Sequence, residues 1–309
     1  MYGNEQNGAF AKQTMGAIDR SPRERREGPA STPTQRGTFT PMKTRRLSPP
    51  TLRSAILYTA LALGLFTPLA AVAELSNQSM IGPGLRIRPA YDGSDSRHTE
   101  LVPVIRYLGQ PWFVRSTQGV LEGGARMEIT PELHIGAQLA YEPGRKMNES
   151  PFLRSHNVTD MKMGASAGLQ AEWDHKFGPV PVTLLARARQ RTDTDLGAQF
   201  DVRLSAGVFQ RGSFSAGVFT QGTWANAKSA GAFYGITPQQ SAATGLPAYS
   251  ASSGWLVSSI GVLWSFDLGP QWVVVGNLES RHMQGDAAHS PLVVRESNYA
   301  VSAGVAYKF

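Results

Sequence analysis

The sequence predicts an all-β fold: a transmembrane antiparallel β-barrel of about twelve strands, following a cleaved signal peptide. Three observations predict it. An export leader precedes the rest of the chain. The remainder alternates apolar and polar residues with a period of two. The connections between the alternating segments are short at one end and mostly long at the other.

The leader comes first. Residues 1–41 are polar and rich in Arg, Gly, Pro and Ser with no apolar period, and they read as a disordered extension. Residues 42–73 read as a signal peptide. Lys43, Arg45, Arg46 and Arg53 form a positive start, Ala55 to Leu65 is an apolar run, and Ala71-Val72-Ala73 is a small-x-small cleavage site. The apolar run falls short of the roughly 18–20 residues of a spanning helix, and Pro68 interrupts its end. Met42 reads as the natural start, which makes residues 1–41 a product of start-site choice. Residues 74–309 are then the barrel.

Charge follows the same division. Residues 1–73 hold 10 Lys/Arg and 4 Asp/Glu, a net of +6, and the remaining 20 and 19 add only +1 to reach the total of +7. The basicity belongs to the leader, so a nucleic-acid partner is excluded. The chain has no cysteine, which excludes disulfides, Cys-ligated zinc, a thiol nucleophile and an N-terminal lipid anchor on Cys.

From Met80 onward the period is two, and no amphipathic helix is predicted. Tyr299, Val301, Ala303, Val305, Tyr307 and Phe309 alternate with Ala300, Ser302, Gly304, Ala306 and Lys308. An alternating strand ending on a terminal Phe resembles the signal read by the barrel-assembly machinery, which points to Tyr307 and Phe309. Strands are predicted at 80–91, 99–108, 111–117, 119–129, 131–142, 162–177, 180–192, 196–210, 212–224, 254–267, 270–283 and 296–309. Lipid requires every backbone group to be paired, so exposed alternation of this length implies closure. The long connections 92–98, 143–161, 225–253 and 284–295 all follow odd strands, which places them together on the outer side and the termini in the periplasm.

The predicted inward register carries Arg187, Arg189, Arg191, Asp201 and Arg203, with Glu172, Asp174, Glu279 and Arg281 on neighbouring strands. One reading is a salt-bridged lumen that plugs itself. The other is a selective pore whose arginine ladder attracts anions. A hairpin centred near Thr194 sets Arg187 opposite Asp201, which favours neutralisation. No histidine has a metal-ligand partner at helical spacing, and no Gly-x-Ser-x-Gly elbow is present, so neither metal, cofactor nor enzymatic activity is predicted. His289 and Ser290 are adjacent, and adjacent strand residues face opposite ways. Asp92 and Asp95 around Gly93 read as a turn.

Several segments together resemble the MipA/OmpV family of outer-membrane proteins. They are IGPGLRIRPAYDGSDSRHTELVPVIRY at 81–107, FYGITPQQSAATGLPAYS at 233–250, and GDAAHSPLV at 285–293. The resemblance covers the chain from about Met80 to Phe309, and the extra residues 1–41 depart from it. It implies a non-enzymatic barrel in the cell outer membrane, in contact with outer-membrane lipid. It also implies a scaffold role joining a murein hydrolase (a lytic transglycosylase) to a murein synthase, or else a porin-like channel for small solutes. A scaffold needs a periplasmic surface, yet the predicted periplasmic turns are short, which leaves the rim and the segment after Ala73.

The loop at 233–250 carries Phe233, Tyr234, Leu246 and Tyr249, with Pro238 and Pro247 stiffening it. Long loops with apolar content are functional or fold inward. A constriction at the barrel mouth and a partner contact at the cell surface are the two readings.

Overall fold

The computed structural model describes residues 78–309. The predicted extension, the signal peptide and the start of the predicted barrel segment lie outside the described residues. Twelve antiparallel strands close into a barrel in which every strand pairs with its sequence neighbours and the last pairs with the first. They are β1 Met80–Pro89, β2 Arg97–Leu108, β3 Trp112–Thr117, β4 Val120–Thr130, β5 Leu133–Glu142 and β6 Gly164–Phe177. The second half comprises β7 Val180–Arg191, β8 Ala198–Arg211, β9 Phe214–Ala225, β10 Gly254–Asp267, β11 Trp272–Met283 and β12 Ser297–Lys308. Each predicted strand is present, with ends displaced by a few residues. The largest functional displacement is at β1, where Ala90 and Tyr91 leave the ladder and pack among the loops.

Alternation sets the two faces. On β5, Ile135, Leu139 and Tyr141 are exposed on the outer wall, while Gln138, Ala140 and Glu142 are buried inside. Leu101, Leu169 and Ile260 likewise point outward, the last two 67% and 64% exposed. Such a wall suits hydrocarbon, not water. Aromatics flank it: Trp112, Phe177, Phe214 and Trp272 near the short turns, Tyr141, Trp255 and Tyr299 towards the long loops.

The ladder is not uniform. Pro83 of β1 lies opposite Pro103 of β2, and the β1–β12 register skips Gly82 and Pro83. Proline has no N–H to give, and a Cβ at Gly82 would collide with the Val305 carbonyl. β2 joins β3 only through Arg106–Arg115, Tyr107–Val114 and Leu108–Phe113. Where that ladder stops, the Ser116 hydroxyl accepts from the Ile105 backbone N–H at 3.1 Å.

The long connections fold on their own, contrary to the helix-free expectation. Helix α1 covers Pro151–Ser155, α2 Ala227–Tyr234, α3 Pro238–Thr244 and α4 Gly285–Ala288. The helices are too short to show an amphipathic period, and their signals are local caps. Asn226 caps α2 through the Ser229 N–H. Thr237 and Gln240 form a capping box at α3 with Pro238 in the first turn, and Gly245 closes it at φ 72°.

Unboiled protein from an outer-membrane fraction is expected to migrate faster on a denaturing gel than boiled protein. Equal migration would contradict a closed barrel.

Candidate functional site

The lumen is the site. β3, β4, β6, β7 and β8 present their inward positions to one another at mid-height. Arg115, Glu122, Glu172, Arg187, Arg189, Asp201 and Arg203 are all buried there, and Arg191 is buried beyond them at the long-loop end of β7. Arg115 bridges Glu122 of β4 and Glu172 of β6, donating to the latter at 2.6 Å. Arg187 lies opposite Asp201 in register. Its guanidinium is 3.7 Å from that carboxylate and 2.9 Å from Glu122, so its closer partner stands on another strand. Asp201 is taken by Arg189, which also reaches Glu142 at 3.2 Å. Arg203 lies with its guanidinium carbon 3.9 Å above the Phe219 ring. Asp174 accepts from Thr183 at 2.6 Å nearer the short turns. A buried charge is tolerated when it is paired and hydrogen-bonded, and this network meets that condition for most of its members.

A second group lies at the long-loop end. Glu279 accepts from Arg281 at 2.9 Å, and Arg281 in turn holds Asp92 through two donors. Asp92, read from the sequence as an ordinary turn residue, is therefore an ion-pair partner two hundred residues away along the chain, roughly speaking, and sequence separation hid it. The β3–β4 turn joins this group. Gln118 and Gly119 both have positive φ, at 51° and 80°, as a two-residue type I′ hairpin turn requires. The turn tips into the lumen, where the Gln118 amide donates to Glu279 at 2.9 Å. A Cβ on Gly119 would strike the Arg86 guanidinium. Two lumen cavities, of about 180 and 210 Å³, share Arg86, Thr117 and Gln118 in their walls, so the hairpin tip lies between them.

The long loops roof the upper cavity. Tyr234, Ala230, Leu256, Met283 and Ala287 form one apolar cluster, and Tyr91, Leu153, Ile236, Leu246 and Leu292 another. Tyr249 packs against both. Of the six loop residues singled out in the sequence, Phe233 and Tyr234 reach the cavity wall. Leu246 is buried in the roof, Tyr249 is partly buried, and Pro238 and Pro247 are exposed. At the other end of the barrel Tyr307 packs edge-on against Trp272, and the exposed Phe309 donates its N–H to the Ser79 carbonyl.

Sequence reading missed Arg86, Arg115, Glu122, Glu142 and Arg145. The first four sit at inward positions of strands whose alternation was legible, so the register alone could have found them. Arg145 lies in a loop with no period to report it. Its guanidinium donates to the Phe233 carbonyl at 3.0 Å and lies 5.9 Å from the Tyr91 ring centre. Burial lowers its pKa and pushes the Tyr91 hydroxyl up to about 12; burial also raises Tyr234. Both tyrosine hydroxyls therefore stay protonated at neutral pH.

Glu122→Gln leaves Arg115 and Arg187 without their shared carboxylate. It is expected to cost about 3–5 kcal/mol of stability in reversible urea unfolding, and an unchanged midpoint would show that water screens the network. The roof has its own pH test. The Ser252 N–H donates to the exposed Asp286 carboxylate at 2.9 Å and lowers its pKa below the usual 3.8. The contact is complete above that value and is lost as pH falls through the lower, folded value. Exchange protection of the Ser252 amide should hold at neutral pH and vanish in acid.

Against this geometry stand the comparisons with known proteins. The family model for MltA-interacting protein MipA matches residues 81–309, which takes in nearly the whole barrel. An MltA-interacting protein of Escherichia coli (strain K12) is 25% identical over 256 residues, covering 81% of this chain and 98% of that protein. The Shigella flexneri MltA-interacting protein matches to the same extent. Among solved structures, an outer membrane channel from Pseudomonas putida F1 superposes with a TM-score of 0.45 at 11% identity, over 78% of this chain and 98% of that one. The chain belongs to the MltA-interacting protein MipA family of outer-membrane β-barrels.

Proposed function

We propose that the barrel is a non-enzymatic platform in the outer membrane that docks murein-processing enzymes on its short-turn rim. The observation that carries this reading is the filled lumen. Ion pairs cross it at mid-height, the Gln118 hairpin divides it, and the loop clusters roof it. A barrel so filled is poorly suited to free diffusion, and its outer surfaces are what remain for work. The Escherichia coli relative is named for an interaction with MltA, and the family resemblance implies a lytic transglycosylase and a murein synthase as partners.

The rim offers a defined surface. Glu132 pairs with His175 at 2.8 Å, which stacks on Trp173 with ring centres 5.1 Å apart. Lys308 pairs with Asp267 at 2.7 Å, and Leu268 is exposed. These groups are short, rigid and adjacent to the membrane, as a docking face on a barrel without long periplasmic loops has to be. Binding of a purified lytic transglycosylase to the detergent-solubilised barrel is the test. Binding should survive removal of residues 233–250 and weaken about tenfold with Glu132→Lys combined with Leu268→Glu, the loss of a small number of interface anchors. The opposite dependence would move the interface to the loop end.

A channel for small solutes is the second reading, favoured by the two lumen cavities. In planar bilayers the intact barrel is expected to conduct weakly, and removing 233–250 should raise the current. Large currents from the intact barrel would establish the channel and displace the platform.

A further inference from the structure

The upper cavity has more positive charge in its wall than the barrel neutralises. Its lining includes seven arginines but only three carboxylates, Asp92, Glu142 and Asp201. Most of the arginines find partners there or just behind the wall. Arg86 and Arg88 share Glu100, Arg187 takes Glu122, and Arg281 takes Asp92 and Glu279. Arg189 takes Asp201 and Glu142.

Two are the least neutralised: Arg145, and Arg191, whose Nη1 donates to the Gly164 carbonyl at a long 3.5 Å. The hydrogen-bond acceptor of Arg145 is a neutral one, the Phe233 carbonyl, and its Nε is buried with no acceptor. Arg191 is 4% exposed, and its Nε and Nη2 are both buried without acceptors. Its carboxylate neighbour is Glu142 at 3.8 Å, already engaged by Arg189 at 3.2 Å and by the Ser166 hydroxyl at 2.6 Å. Phe233 positions both side chains. Its carbonyl holds Arg145, and its ring lies 5.4 Å from the Arg191 guanidinium carbon. Tyr234 adds a protonated hydroxyl to the same wall.

Buried guanidinium N–H groups without acceptors are costly, and two under-neutralised arginines in one cavity wall favour an anion between them. We infer that this cavity binds a small oxyanion, a carboxylate or phosphate group, between Arg145 and Arg191 beneath Phe233 and Tyr234. The planar forks of arginine match both oxyanions in a two-pronged fashion. At about 210 Å³ the cavity is smaller than the roughly 300–1,000 Å³ of drug-sized pockets, which restricts the ligand to a small acid or phosphate ester. The inference goes beyond the docking role and does not rest on it, because the cavity lies at the loop end and the proposed docking face at the rim.

The test is calorimetric titration of the folded barrel in detergent with inorganic phosphate, and separately with acetate, at constant ionic strength. Saturable binding of at least one anion is expected. Arg145→Gln combined with Arg191→Gln should weaken it at least about tenfold, as loss of charge-assisted pairs does, while the gel shift of the folded barrel persists. Tighter phosphate binding would point to a phosphate-bearing ligand and tighter acetate binding to a carboxylate. Should the double variant fail to fold, Arg191→Lys keeps the charge, removes the fork, and is expected to weaken binding severalfold. No saturable binding of either anion, or binding undiminished in the variant that folds, overturns the inference. Transglycosylase docking is expected to be unchanged by these substitutions, so failure of one reading leaves the other standing.

Discussion

Within the hydrocarbon layer the backbone has no water to bond with, and each unpaired N–H or C=O there costs several kcal/mol. Twelve strands closed edge to edge satisfy that demand. The rest of the molecule follows from it. Closure fixes which residues face lipid and which face the lumen, and the period of two then decides the chemistry of both. The outer face can be Leu, Ile and aromatic residues with no partner to find. The inner face must dispose of whatever polar groups the alternation delivers.

The inner face disposes of them by pairing across the lumen. Some charges are met by their neighbour in register, as Arg115 is by Glu122, and others by a carboxylate farther round the wall, as Arg187 is by the same Glu122. Such chords tie distant strands together and resist flattening of the barrel. They also explain why the loops above can be elaborate. Asp92 hangs from Arg281, Arg145 is held by Phe233, and the roof is thereby keyed to the same network that fills the tube. Near Arg145 and Arg191 the pairing runs out of carboxylates, and there the interior gains a capacity for something other than support.

Much of this was legible in the sequence and part was not, for definable reasons. Strand number, order and facing were legible because each depends on local alternation and on turn spacing. The opposition of Arg187 and Asp201 was legible because a short hairpin leaves little freedom of register. The carboxylate that Arg187 prefers was not, because Glu122 is brought to it by the curvature of the barrel and not by proximity in the chain. The loop helices escaped because their caps, Asn226 and the Thr237–Gln240 box, act over single turns too short to show a helical period. The inward lean of the Gln118 turn was not legible either, since nothing in a turn's sequence states which way its tip points.

The short seam between β2 and β3 sets one sector of the wall apart from the rest. Beyond Ile105, β2 is paired to β1 alone, and the Ser116 hydroxyl marks the end of its ladder with β3. From Arg97 to Ile105 the second edge of β2 finds no ladder on β3, and backbone groups without a strand partner need other acceptors and donors. The Ser116 hydroxyl supplies one for the Ile105 N–H. With three register pairs against nine to twelve along most of the other seams, this is the line along which the closed wall is least tightly stitched.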